Sequence, residues 1–158
     1  MGPAFSFRCL LSPEVKLHLY RTFVCPVLRS GLSSLVVKNT LTTLLSIFQR
    51  KVLKGVLKVS KQASTVGIHF LIGELPIEAK LHRDVFSLFY LIWINPDTKI
   101  HAIVKYLLSS STDDSTTWAV YVRQVSRQYG LEDPLSCLRK DAPTKSTFKS
   151  DVDVRIKL

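Results

Sequence analysis

The sequence reads as an all-α protein, a compact bundle of about five to seven helices. Three observations lead there. Apolar residues recur at helical spacing along most of the chain, cap and stop residues bracket those stretches, and no two segments show the alternation of half-buried strands. With 158 residues, 46% of them hydrophobic, the chain can bury a sizeable core, and one domain is the expectation.

Each element has its own signals. Ser12, Pro13 and Glu14 supply an N-cap, a proline at the first helical position and a first-turn acid. They start a helix toward Arg29 with Val15, Leu19, Phe23 and Val27 inward and a kink at Pro26. A second helix runs from Lys38 to Ser60 with Leu41, Leu44, Leu45, Phe48, Val52, Val56 and Val59 on its inner side, leaving Ile47, Leu53 and Leu57 outside that stripe. The stretch from Gly67 to Gly73 reads as a turn or short extended link. Pro76 opens a third helix that ends at Asn95 and Pro96. Its segment from Val85 to Ile94 is apolar on every side, which makes it the expected centre of the bundle, and is far short of the roughly 20 residues that span a bilayer.

Ile100, Val104 and Leu107 mark a fourth helix before the polar tract SSSTDDSTT. Trp118, Val122, Val125 and Tyr129 form the stripe of a fifth, stopped by Gly130. Asp133 and Pro134 start a short sixth, and a seventh begins at Ser146. Residues 1–108 are expected to form a helical region with a basic face, and residues 109–158 a C-terminal helical extension of the same domain.

The charge is one-sided. Residues 1–60 hold nine Lys and Arg against a single acid, Glu14, whereas the remainder of the chain is close to neutral. In FQRKVLKGVLKVSK, a continuous helix at about 100° per residue brings Arg50, Lys51, Lys54, Lys58 and Lys61 within roughly 100° of arc, opposite the apolar stripe. Cations so placed can replace counterions on a phosphate backbone, so these five residues are the candidate nucleic-acid-binding set. A solvated face is the bland alternative. An anionic membrane has the same charge logic, but no wide aromatic face beside the cations is legible, and no membrane partner is expected.

Other motifs carry less. Cys9, Cys25 and Cys137 form no CxxC pair and have no histidines at zinc-ligand spacing, which reads as an intracellular protein with neither a disulfide framework nor a metal site. Gly2 and Ser6 fit a myristoylation pattern that Pro3 argues against. His82, Arg83 and Asp84 spell the HRD of kinases, but Phe89 stands where the asparagine belongs, so the triplet reads as a surface turn of a helix. Gly67 and Gly73 lack the Lys and Ser/Thr of a phosphate loop. Asp113 and Asp114 sit in a Ser/Thr tract and read as loop or capping residues rather than metal ligands. No catalytic residue, cofactor or small-molecule substrate is expected.

Read in order, LSPEVKLHLYRTFVCPVL, LLSIFQRKVLKGVLKVS, IGELPIEAKLHRDVFSLFYLIW, STTWAVYVRQVSRQYGLEDPL and the late KSTFKSDV resemble the C-terminal region of non-LTR (LINE-type) retrotransposon reverse transcriptases. The most specific pieces are Phe48 to Lys51, Gly73 to Pro76, Trp118 through Arg123, and Tyr129, Gly130, Leu131, Asp133 and Pro134. The resemblance implies a thumb and adjoining helical segment that help to hold RNA or DNA template and primer, followed by a less characterised extension. It also implies an upstream palm as neighbour, with the metal-binding aspartates and endonuclease outside this chain, and hence a piece that is no polymerase alone. One departure is local: the family's aromatic residue before glycine is missing at Arg29, Ser30 and Gly31. The alternative function is a helical protein-binding module with a merely solvated basic face.

Overall fold

A computed structural model describes residues 11–112 and 116–157. Every regular element among them is helical, as the periodicity predicts, and none is a strand. The chain divides into two units, one of Met1–Ser30 with Val37–Glu78 and the other of Gly31–Val36 with Ala79–Leu158. This is a different partition from a break near residue 108.

In the first unit, α1 (Pro13–Leu19) begins as expected, with the Ser12 hydroxyl accepting from the Val15 amide. It passes through one π turn, Tyr20–Val24, into α2 (Cys25–Arg29). The Cys25 amide donates to the Tyr20 carbonyl, five residues back, and the wide turn sits immediately before Pro26, whose ring would crowd a regular α turn. The turn changes which face is inward. Lys16, Tyr20 and Cys25 are buried, spaced by four and then five residues, while Val15, Phe23 and Val27 are exposed and Leu19 is half-buried. The expected Val15, Leu19, Phe23, Val27 stripe is therefore not the inner one, because it assumes α periodicity throughout.

α3 (Asn39–Leu57) buries Leu45, Gln49, Val52, Leu53 and Val56. Leu53 lies inside the stripe rather than outside it, and Leu41, Leu44 and Val59 are exposed, the last because the helix has ended before it. The segment expected to be a link is a helix, α4 (Thr65–Ile72). Ser64 caps its start by accepting from the Gly67 amide, and Gly73 ends it in the left-handed region at φ 59°, its N–H turned back to the His69 and Phe70 carbonyls.

α5 (Ile77–Trp93) starts in the first unit and continues into the second. In the second unit it is central, as expected. Val85, Phe89 and Trp93 meet Val104 and Leu108 of α6 (Lys99–Ser110) and Val122 of α7 (Trp118–Gln128). α6 turns His101, Val104 and Leu108 inward and leaves Ile100 exposed, a rotation of the expected stripe. α8 (Pro134–Cys137) is capped by Asp133, whose carboxylate accepts from the Leu135 amide. α9 (Lys145–Lys157) covers the aromatic end of α5, where Phe148 stacks on Tyr90. A short 3-10 turn, Leu32–Ser34, joins this unit because the Trp118 indole N–H donates to the Ser33 carbonyl at 2.8 Å.

Candidate nucleic-acid interface

The candidate surface is built on α3, and the buried side of that helix fixes where its cations go. Gln49, flanked by Phe48 and Arg50, points inward. Its amide nitrogen donates to the Leu75 carbonyl at 3.0 Å and its oxygen accepts from the Ile77 amide at 2.7 Å. Both of these backbone groups belong to the turn that opens α5, where a helix start leaves amides without intrahelical partners. With Gln49, Val52, Leu53 and Val56 inward, Arg50 and Lys51 are exposed.

The other three cations are not continuations of one row. Lys54 is half-buried, and its ammonium donates to the Lys61 carbonyl at 2.6 Å, folding the chain back on the helix end. Lys58 is exposed and ends α3 in the left-handed region at φ 55°, its N–H bonded to the Lys54 carbonyl. Lys61 is exposed in the turn that follows. The 100° arc of a continuous helix to Ser60 thus applies to Arg50, Lys51 and Lys54, while Lys58 and Lys61 stand beyond the C-terminal end. No glycine or asparagine marks that stop in the sequence, and a lysine occupies the position where one is expected. Cations there also suit the negative end of the helix dipole.

The first unit holds ten Lys and Arg against three acids, Glu14, Glu74 and Glu78, a balance of +7. One acid is already used. Glu74, just past α4, pairs with Arg21 Nε at 2.9 Å, while the same guanidinium donates to the Ile72 carbonyl at 2.6 Å. His69 Nδ1 lies 2.8 Å from the Glu74 carbonyl. The Gly73 to Pro76 motif is thus a joint held by Arg21, His69 and Gln49. Sequence reading also missed the outer face of α4, where Val66, Phe70 and Leu71 are exposed, Phe70 by 90%. The signals were present in Ser64 and Gly73, a cap and a stop.

His82 is buried rather than on the surface, its Nδ1 2.9 Å from the Tyr129 hydroxyl and its ring edge-on to Tyr121 and Tyr129. The neighbouring Arg83 pairs with Asp153 of α9. The triplet therefore serves packing in the second unit. Among the described residues no three His, Cys, Asp or Glu side chains are grouped so as to hold a metal ion, and no helix is long and apolar enough to cross a membrane. Cys9, Asp113 and Asp114 lie outside the described residues. No protein-family model, curated protein or solved structure matches this chain.

Proposed function

We propose that the chain is a non-catalytic piece of a retrotransposon-type reverse transcriptase that holds the phosphate backbone of an RNA or DNA template and primer without sequence preference. The observation that carries the reading is the pairing of exposed Arg50 and Lys51 on the shaft of α3 with exposed Lys58 and Lys61 at its end, in a unit with only three acids. Point charges of this kind position a backbone and read no base edge. The resemblance of the ordered motifs supplies the template and primer as the specific polyanion.

The test is a salt titration of binding to an RNA–DNA duplex, with neutral and anionic vesicles as controls. Replacing Arg50, Lys51 and Lys58 by glutamine removes three charges at nearly constant helix propensity and lowers the log-log salt slope by up to about 3. A folded triple variant that binds duplex as well as the unaltered chain rejects the reading. Alone, the chain neither extends a primer nor nicks DNA with any divalent metal supplied, because its sequence brings no pair of palm carboxylates to the reaction.

One observation favours the second reading, a protein-binding module: the outer face of α4 presents Val66, Phe70 and Leu71 with no polar residue among them. Under that reading the triple variant keeps its binding properties, and loss of a partner follows from changes to α4.

A further inference from the structure

The second unit carries a groove of about 220 Å³ between α5 and α9 that the proposed function does not use. Its accessible apolar surface comes from Leu91 and the partly buried Phe148, over a floor of buried Phe86 and Tyr90; Phe148 stacks on Tyr90 with ring centroids 5.0 Å apart and an interplanar angle of 21°. Leu91 stands at its lip half exposed. Lys145 and Lys149 contribute the charge, one helical turn apart on α9, and both are exposed. The remaining cation of the groove, Arg83, is already paired with Asp153.

The two lysines sit at the wrong end of their helix. The first turn of α9 contains no acid, and Lys145 opens it, where the amide dipoles already present positive charge. An anion arriving in the groove would meet two ammonium groups and the dipole together, and would relieve their mutual repulsion. A long phosphate backbone is a poor match, because the two cations span only about 6 Å along the helix, and this unit has twelve Lys and Arg against nine acids. An apolar surface with a charged edge fits a short chain that brings one hydrophobic side chain and carboxylates beside it.

We infer that the groove between α5 and α9 docks an acidic peptide segment bearing an apolar anchor residue. The anchor lies against Leu91 and Phe148, and the carboxylates face Lys145 and Lys149. This surface is independent of α3.

Fluorescence anisotropy with three labelled peptides on the full chain tests it: one with a single phenylalanine among glutamates, one with glutamines for the glutamates, and one with alanine for the phenylalanine. The glutamate–phenylalanine peptide binds saturably and at least about tenfold tighter than either control. K145Q/K149Q removes the preference for glutamate, and Leu91→Ser removes much of the preference for phenylalanine. R50Q/K51Q leaves all three affinities unchanged, which separates this site from the α3 surface. The altered side chains are exposed or half-exposed, and thermal melts of each variant confirm that it folds. Absence of saturable binding, equal affinity for the glutamine peptide, or full affinity in the folded K145Q/K149Q variant overturns the inference. So does a single-stranded RNA oligomer that displaces the peptide and itself loses binding in K145Q/K149Q, which would make the groove a nucleic-acid site.

Discussion

Gln49 and Ile77 are joined across 28 residues of sequence by a bond of 2.7 Å, the Gln49 side-chain oxygen accepting from the first amide of α5. The same side chain donates to Leu75, so one residue of α3 satisfies both sides of the turn that carries the chain into α5. Gln49→Ala leaves a buried amide and a carbonyl without that partner and lowers stability by about 2–4 kcal/mol. A urea titration followed by circular dichroism measures it. A loss below about 1 kcal/mol would show that water reaches the turn.

Lys58 holds a left-handed conformation that side chains other than glycine adopt at a cost. Lys58→Gly raises stability by about 0.5–1 kcal/mol, the steric relief exceeding the entropy that glycine adds to the unfolded chain. The same variant weakens duplex binding under the proposed function. Gain of one with loss of the other, read by thermal melts and salt titration, separates the cap from the contact.

Lys54 belongs to the fold more than to the surface, since its ammonium closes the turn onto the Lys61 carbonyl. Lys54→Gln therefore costs about 0.5–1.5 kcal/mol of stability and changes the salt slope of duplex binding less than Arg50→Gln does. The opposite ranking would make Lys54 a phosphate contact.

Arg21 and Glu74 are unequal partners, with side-chain exposures of 44% and 6%. Truncating the arginine removes one partner from a carboxylate that water hardly reaches, whereas the arginine itself is well solvated. Arg21→Ala lowers stability by about 1–3 kcal/mol, less than for a wholly buried pair. Chemical denaturation at low and high salt checks it, and the loss persists in high salt because the Glu74 end is shielded.

Burial of the Cys137 thiol, with the nearby Glu132 carboxylate adding to it, raises its pKa from 9.0 to about 11. At pH 8 the native chain reacts with a thiol reagent there far more slowly than the urea-unfolded chain, since little thiolate forms. The neutral thiol is the form the fold favours. Its contribution to stability is complete below pH 9 and is lost as pH rises toward 11, so alkaline unfolding is delayed in Cys137→Ser relative to its own neutral-pH stability.

Local punctuation made most of the helices legible. Ser12 and Pro13, Pro76, Gly130, and Asp133 with Pro134 each stand where a helix starts or stops, and each acts through backbone groups within a few residues. What escaped depends on distant partners or on a changed period. The π turn before Pro26 rotates the inner face of the first helical segment, and a 3.6-residue wheel has no means of registering it. His82 looks like a surface residue until Tyr129, 47 positions away, is brought to its ring. In the candidate interface, exposure of Arg50 and Lys51 follows from periodicity, which sets them opposite Leu45, Val52 and Val56, whereas the inward turn of Gln49 and Leu53 does not. The separation of Lys58 and Lys61 from that helix does not, since it turns on a lysine taking a glycine's conformation.

The π turn also bears on how this segment could lose a residue. Its wide turn uses five residues to bring Cys25 beneath Tyr20, where an α turn needs about four. Removing Thr22, which is exposed, would let an α turn place Tyr20 and Cys25 on one side again, with Lys16 still aligned behind them. Pro26 would then sit in a regular helix interior, where it costs about 3 kcal/mol. The surplus residue thus accommodates the proline: a deletion at Thr22 is harmful alone and is rescued by Pro26→Ala, so this helix can be shortened without loss only if the proline is replaced first or at the same time.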